Sequence, residues 1–172
     1  MGKSIEIRPY AAADAGEVRA LFVRVNRLLA PLELAEAFEG YIARSLDEEI
    51  DRIPAYYGER AGSFWVAVLD GRIVGMFGLE AAGPGAMELR RMYVDPDARR
   101  RGIARTMLAF AEDECRRQGA REMVLSTSEI QKEALALYRD AGYRELRQEI
   151  ANAASNKTVG GGIRRFHFSK TL

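Results

Sequence analysis

Between Glu88 and Arg105 the chain reads Glu-Leu-Arg-Arg-Met-Tyr-Val-Asp-Pro-Asp-Ala-Arg-Arg-Arg-Gly-Ile-Ala-Arg. An apolar stretch ends at Asp95-Pro96, and a basic loop containing one glycine opens directly into a helical pattern. That order of residue types suits anion binding. The first N–H groups of a helix have no internal partners and sit at the positive end of its dipole. Gly102 and the small Ala104 let a phosphate approach the backbone, and nearby arginine side chains add charge. There is no G-x-x-x-x-G-K-[ST] of a P-loop, and no G-x-G-x-x-G following a first strand. On the residues alone two readings stay open: a phosphate-bearing ligand, or a solvated arginine turn. Contact of Arg99–Arg101 with nucleic acid is a weaker alternative, because no aromatic platform accompanies them.

Such a loop acts only if a scaffold holds it. Ser4–Arg8 reads as a short strand closed by Pro9. Asp14 is placed to cap a helix running to about Asn26, with Val18, Leu21, Phe22 and Val25 on one face. After Pro31 a second helix is expected from about Leu34 to Ile53. Phe64–Leu69 and Ile73–Glu80 form a hairpin about Asp70-Gly71, and Met87–Val94 adds a third strand. A helix from about Gly102 to Gln118 follows, stopped at Gly119. Glu122–Ser126 is a strand, and Ser128 with Gln131 predicts a capping box for a helix ending near Ala141. Tyr143–Ile150 and Arg164–Ser169 are the final strands, around a loop containing Gly160-Gly161-Gly162. The order β-α-α-β-β-β-α-β-α-β-β predicts an α/β (α+β) chain with a mixed sheet covered by helices.

Two motifs together carry a resemblance. Arg99-x-x-Gly102-x-Ala104 is similar to the [RQ]-x-x-G-x-[GA] signature of the GCN5-related N-acetyltransferases (GNAT). Gln131-x-x-Ala134-x-x-Leu137-Tyr138-x-x-x-Gly142-Tyr143 resembles the second motif of that family. The two span roughly residues 87–145, and the element order resembles the family across nearly the whole chain. Gln131 stands where Asn is commoner, and Ala104 where Gly is commoner.

The resemblance implies a GNAT fold with a mostly antiparallel sheet, as a single domain over residues 1–172. It also implies acetyl transfer from acetyl-CoA, as co-substrate and without a metal, to a primary amine of a small molecule or peptide in a ternary complex. The pyrophosphate would sit on Arg100, Arg101, Gly102, Ile103, Ala104 and Arg105, with Arg99 beside them. A bulge would leave backbone groups of Met92, Tyr93 and Val94 for the thioester and pantetheine, with Gln131 as a further contact. Tyr138 would be the general acid toward the departing thiolate, since a phenol with a pKa of about 10 is protonated at neutral pH. Glu88 is the candidate general base, with Glu80 as a competitor. Alternation along the strand puts Glu88, Arg90 and Met92 on one face, and an ion pair of Glu88 with Arg90 or Arg91 is the competing role.

The other chemically capable residues read more plainly. Cys115 lies at helical spacing with Leu108 and Ala111, which suits a small core residue. His167 has no nearby Ser or Cys partner and reads as structural. Trp65, Phe64 and Phe77 suit a hairpin core, and Tyr56 and Tyr57 suit either a substrate mouth or helix-end packing. Residues 31–51 carry seven carboxylates against Arg44. That stretch is either an acidic lip for a cationic amine or a solvated helix face. Residues 152–162 are long enough to form a flap over an acceptor.

The chain has 172 residues, with Lys+Arg 26 against Asp+Glu 25, and only Lys3, Lys132, Lys157 and Lys170 are lysines. The near-balance excludes a globally basic nucleic-acid binder and a disordered acidic chain. One Cys and one His rule out an intramolecular disulfide and a multi-cysteine metal site. No apolar run long enough to cross a membrane and no signal-like core is present, so a cytoplasmic location without nucleic-acid or membrane partners is expected. Homodimerisation is left open. The rival readings are a non-catalytic acetyl-CoA-binding module and a nucleic-acid-binding domain.

Overall fold

The computed structural model describes residues 3–172. Among these residues seven strands form one sheet: β1 (Glu6–Pro9), β2 (Ser63–Leu69), β3 (Arg72–Ala81), β4 (Ala86–Val94), β5 (Glu122–Ser128), β6 (Arg144–Ala151) and β7 (Ile163–Thr171). Their order is β1-β2-β3-β4-β5-β7-β6, and only the β4–β5 pair is parallel. Five helices cover it: α1 (Ala15–Leu29), α2 (Ala35–Glu48), α3 (Ile53–Gly58), α4 (Ile103–Arg117) and α5 (Lys132–Asp140). The mixed sheet expected from the element order is therefore present, and it is mostly antiparallel, as the resemblance implied. The β2–β3 connection is the two-residue turn expected at Asp70-Gly71, with φ of 54° and 75° as a type I′ hairpin requires.

Three local expectations are corrected. The second helix does not run to Ile53. It ends at Glu48, a 3-10 turn at Ile50–Arg52 redirects the chain, and Pro54 in the first turn of α3 starts a separate short helix. Asp14 precedes α1, but its carboxylate makes no bond to the α1 backbone. It accepts from the Ala11 N–H at 2.8 Å and takes a two-point ion pair from Arg8 at 2.8 and 2.9 Å. The capping box at Ser128 and Gln131 does not form. Ser128 is the last residue of β5, and the Gln131 side-chain oxygen accepts from the Thr127 hydroxyl instead.

The sheet separates two cores. On one face Val18, Phe22 and Val25 of α1 and Tyr41 and Ile42 of α2 pack with Tyr57, Phe64, Val66 and Met76. On the other, Met107, Leu108 and Ala111 of α4 and Leu135 and Tyr138 of α5 pack with Phe77, Leu79, Leu89 and Phe168. The hairpin aromatics expected in the core divide between these faces. Trp65 stacks on Phe77 at 6.4 Å on the α4 side, while Phe64 meets Tyr57 on the α3 side. Cys115 is fully buried, and burial pushes its thiol up to about 11, as suits a core residue rather than a nucleophile.

Two irregularities in β4 create the site. Its parallel pairing with β5 stops after Ala86, Met87 and Glu88, so β4 from Leu89 onward diverges from β5. On its other edge, Arg90 pairs with Gly78 and Tyr93 with Met76, so Arg91 and Met92 together oppose Phe77. This is a β-bulge, with Arg91 at a φ of 55°.

Candidate active site

The bulge resets which way the β4 side chains point. Before it, Met87 and Leu89 face α4. After it, Met92 and Val94 take that face and Tyr93 packs with α1. The alternation that grouped Glu88, Arg90 and Met92 is thereby overturned at Met92. Arg90 and Arg91, adjacent in sequence, instead turn to the same side and meet one carboxylate.

That carboxylate is Glu49, which is 0 % exposed at the end of α2. It lies 2.9 Å from Arg90 and is held by Arg91 at 2.9 and 3.2 Å. The Tyr57 hydroxyl donates to it at 2.8 Å, and the Tyr57 ring fits against the bare backbone of Gly78, where any Cβ would collide with it. Burial alone would raise the Glu49 pKa. Arg91 and Arg90 outweigh that and hold it below the ordinary carboxylate range. Arg91 also donates to the Tyr41 hydroxyl at 2.6 Å and to Ser45 at 3.3 Å, which fixes a residue in a sparsely populated backbone conformation. Glu49 therefore leaves the acidic stretch of residues 31–51. Glu39 and Asp51 of that stretch are paired as well, with Arg27 at 2.8 Å and Arg19 at 3.1 Å.

The segment between β6 and β7 crosses this cluster. The Asn156 carbonyl accepts from Arg91, and its side-chain amide donates to Tyr56 at 3.2 Å and Glu49 at 3.4 Å. The Lys157 ammonium bridges Glu80 at 3.1 Å and Glu88 at 3.0 Å. The partner of Glu88 is thus Lys157, rather than Arg90 or Arg91. Tyr56 accepts from Arg90 and borders an outer hollow, so Tyr56 and Tyr57 both serve the charge cluster. His167 meets Glu149 at 2.6 Å on the β6–β7 ribbon, away from any nucleophile.

Beneath the strap lies a cavity of about 100 Å³, walled by Glu88, Arg91, Tyr138, Lys157 and Arg165 among others. Tyr138 reaches it from α5, its ring buried at the edges of Tyr143 and Phe168. Burial first, then the neighbouring Tyr93, raises the Tyr138 pKa, so the phenol is protonated at neutral pH. The cavity meets a longer groove of about 630 Å³ at Leu29, Met92, Tyr93, Ile130, Gln131 and Ala134.

That groove runs to the start of α4. Val94, Arg99, Arg100, Gly102, Ile103, Ala104 and Arg105 all border it, while the exposed Arg101 does not. No side chain caps α4, so its first N–H groups remain free of protein partners. Gly102 and Arg100 are left-handed, with φ of 72° and 64°, and a Cβ at Gly102 would meet nothing within 4 Å. An uncapped helix start, facing open space and flanked by arginines, fits a pyrophosphate. Arg99 and Arg105 reach Glu133 and Asp140 of α5 only at 3.9 and 3.5 Å, in exposed pairs that a ligand could replace. Among the described residues there is no group of three or more His, Cys, Asp or Glu placed to hold a metal.

The site thus combines a mixed sheet with a splayed parallel pair and an uncapped helix start. The acetyltransferase (GNAT) family model matches residues 29–143, and the chain belongs to that family. Human N-acetyltransferase 8 is 39 % identical over 109 residues, covering 58 % of this chain and 46 % of that protein. The chain spans about half the length of the curated relatives it matches. Among solved structures, a GNAT-family acetyltransferase of Staphylococcus aureus superposes with a TM-score of 0.75 at 19 % identity, covering 98 % of this chain and 99 % of that one. The paia N-acetyltransferase of Thermoplasma acidophilum, solved with coenzyme A, has the same TM-score and identity and the same coverage of both chains.

Proposed function

We propose that this chain is an N-acetyltransferase that moves acetyl from acetyl-CoA to a primary amine within a ternary complex, as one catalytic domain over residues 1–172. The observation that carries the reading is the junction of groove and cavity, where the free edge of β4 at Met92–Val94 passes Tyr138. The coenzyme A complex of the Thermoplasma relative supports it, as do the names of the curated relatives.

Acetyl-CoA supplies a thioester whose carbonyl carbon is open to an amine. The backbone amides of residues 102–105 and the arginines beside them bind its pyrophosphate. Unpaired backbone groups of Met92–Val94 orient the thioester, and an amide directed at its carbonyl oxygen stabilises charge that develops there. Gln131, facing both spaces, guides the pantetheine arm. Glu88 takes a proton from the acceptor ammonium, which displaces the Lys157 ammonium as it arrives. Nitrogen then bonds to the carbonyl carbon, the C–S bond breaks, and Tyr138 gives its proton to the departing thiolate. The second proton lost by nitrogen restores the phenol, so the turnover yields amide, free thiol and one proton.

The test is thermal stabilisation by acetyl-CoA, followed by thiol release across a panel of amines. Tyr138→Phe is expected to lower kcat by roughly 10²–10⁴ while sparing acetyl-CoA affinity. An unchanged kcat removes Tyr138 from its role, and a Glu88→Gln variant with an unaltered pH–rate profile removes Glu88. Absence of any stabilisation by acetyl-CoA overturns the function.

A further inference from the structure

Around the central cavity four cations meet three carboxylates. Arg90 and Arg91 share Glu49, Arg90 also reaches Glu80 at 3.3 Å, and Lys157 spans Glu80 and Glu88. The cation left over is Arg165. It projects from β7 into the cavity and donates to the Ser126 hydroxyl at 2.9 Å. Among the described residues no carboxylate lies within 4.0 Å of its guanidinium. Its cross-strand neighbour Glu149 is engaged by His167 at 2.6 Å and Arg147 at 3.5 Å. The groups whose fields reach it are the Tyr41 and Tyr93 hydroxyls, Glu149 and the like-charged Arg91. Burial depresses its pKa, whereas Arg90 and Arg91, each with Glu49, move the opposite way. A half-buried guanidinium with one neutral partner retains donors that a carboxylate would satisfy in bidentate fashion.

The same cavity is also bordered by the complementary charge, Glu88. Glu88 and Glu80 already hold an ammonium, that of Lys157. The cavity is small, about 100 Å³ with the strap in place. Resting on the acetyl-transfer reading above, we propose that the acceptor is a small amino acid whose amine is received at Glu88 and whose carboxylate is bound by Arg165. A polyamine suits this interior poorly, because Arg91 and Arg165 would repel its second charge.

The experiment compares the common L-amino acids with their carboxamides, which keep the amine and side chain but lose the anion. Thiol release and calorimetric binding in the presence of CoA are both measured on the intact chain. The expected result is at least one acid whose kcat/KM exceeds that of its amide by 10²-fold or more. Arg165→Met then raises KM for that acid by 10–100-fold with a smaller change in kcat, and Arg165→Lys recovers part of the loss. Amides that bind or react as well as their acids overturn the assignment, as does an Arg165→Met variant with unchanged KM. Binding of neither acid nor amide in any pair also overturns it. If acetyl-CoA itself fails to bind, the transferase reading falls. If acetyl-CoA binds and amines without carboxylates are acetylated equally well, only the amino-acid assignment falls.

Discussion

The groove and the cavity touch along the same stretch of β4 but are held together in different ways. The groove is a contiguous device. The turn at residues 99–102 and the first turn of α4 supply backbone donors, and its arginines are exposed, with salt bridges of 3.5 Å or more. The cavity is lined from α1, α2, β4, β5, α5, the 156–159 segment and β7, and the Glu49 cluster behind it holds its charges buried and closely paired. Exposed pairs contribute on the order of 0–1 kcal/mol each, whereas breaking a buried pair costs several. The groove can therefore lose side chains without harm to the fold, while the cavity walls are part of what keeps the chain folded.

The sharpest way to break this contrast is Glu49→Ala, which strands two buried guanidiniums. The expected loss is about 3–5 kcal/mol. For a domain of this size that corresponds to a fall in melting temperature of roughly 6–20 °C. Calorimetric melting checks it, and a loss below about 1 kcal/mol would show that the cluster is not structural. The pH dependence adds a sign. Because the folded Glu49 carboxylate titrates below its ordinary value, its contribution is complete above the unfolded pKa near 4.3 and drains away as pH falls through the folded one. Acid unfolding of Glu49→Ala should lack that component.

This contrast also explains what could be read from the chain beforehand. The strand–turn–helix around Arg99–Arg105 was legible because its unpartnered backbone groups are consecutive, which a local motif encodes. Tyr138 was legible because its position within α5 is tied to Gly142 and Tyr143 by the turn that ends the helix. Glu49 was not. In sequence it belongs to a run of acidic residues, and only the break after Glu48 turns it inward toward β4. The paired roles of Arg90 and Arg91 were hidden for a related reason. Strict alternation puts neighbours on opposite faces, and the extra residue of the bulge cancels that rule at this point. Asn156, Lys157 and Arg165 lie more than 60 residues from Arg90 and Arg91, so no spacing argument links them.

At the groove the matching prediction concerns affinity rather than stability. Gly102→Ala places a Cβ where the protein leaves open space, so no clash arises within the fold. A left-handed alanine costs about 1–2 kcal/mol. Acetyl-CoA affinity is expected to fall by about tenfold, as the methyl group intrudes where phosphate approaches the amides. Arg100→Ala, with its exposed side chain, should leave stability within about 0.5 kcal/mol and weaken acetyl-CoA in a salt-dependent way. Calorimetric titration at two salt concentrations checks both. An Arg100→Ala variant that melts early would place the groove among the structural parts of the molecule.

The smallest effect is expected at the strap, where Lys157 holds the carboxylates proposed to receive the acceptor amine. Lys157 is about half exposed, so its pairs with Glu80 and Glu88 are screened and contribute no more than about 1 kcal/mol. Burial lowers the pKa of this ammonium, but Glu88 and Glu80 outweigh burial and raise it. Its contribution is then constant through neutral pH and lost only as pH rises through the folded value, above the ordinary lysine range. Lys157→Met keeps the length of the side chain and removes the charge, while the three Asn156 bonds still hold the strap. If Lys157 occupies the place of the incoming amine, this variant should bind the acceptor severalfold more tightly, with acetyl-CoA affinity unchanged. Steady-state KM for the acceptor and calorimetry with acetyl-CoA measure the two sides separately. A KM that rises instead would mean that Lys157 helps to build the acceptor wall, and the strap would then belong with Glu49 rather than with the replaceable charges of the groove.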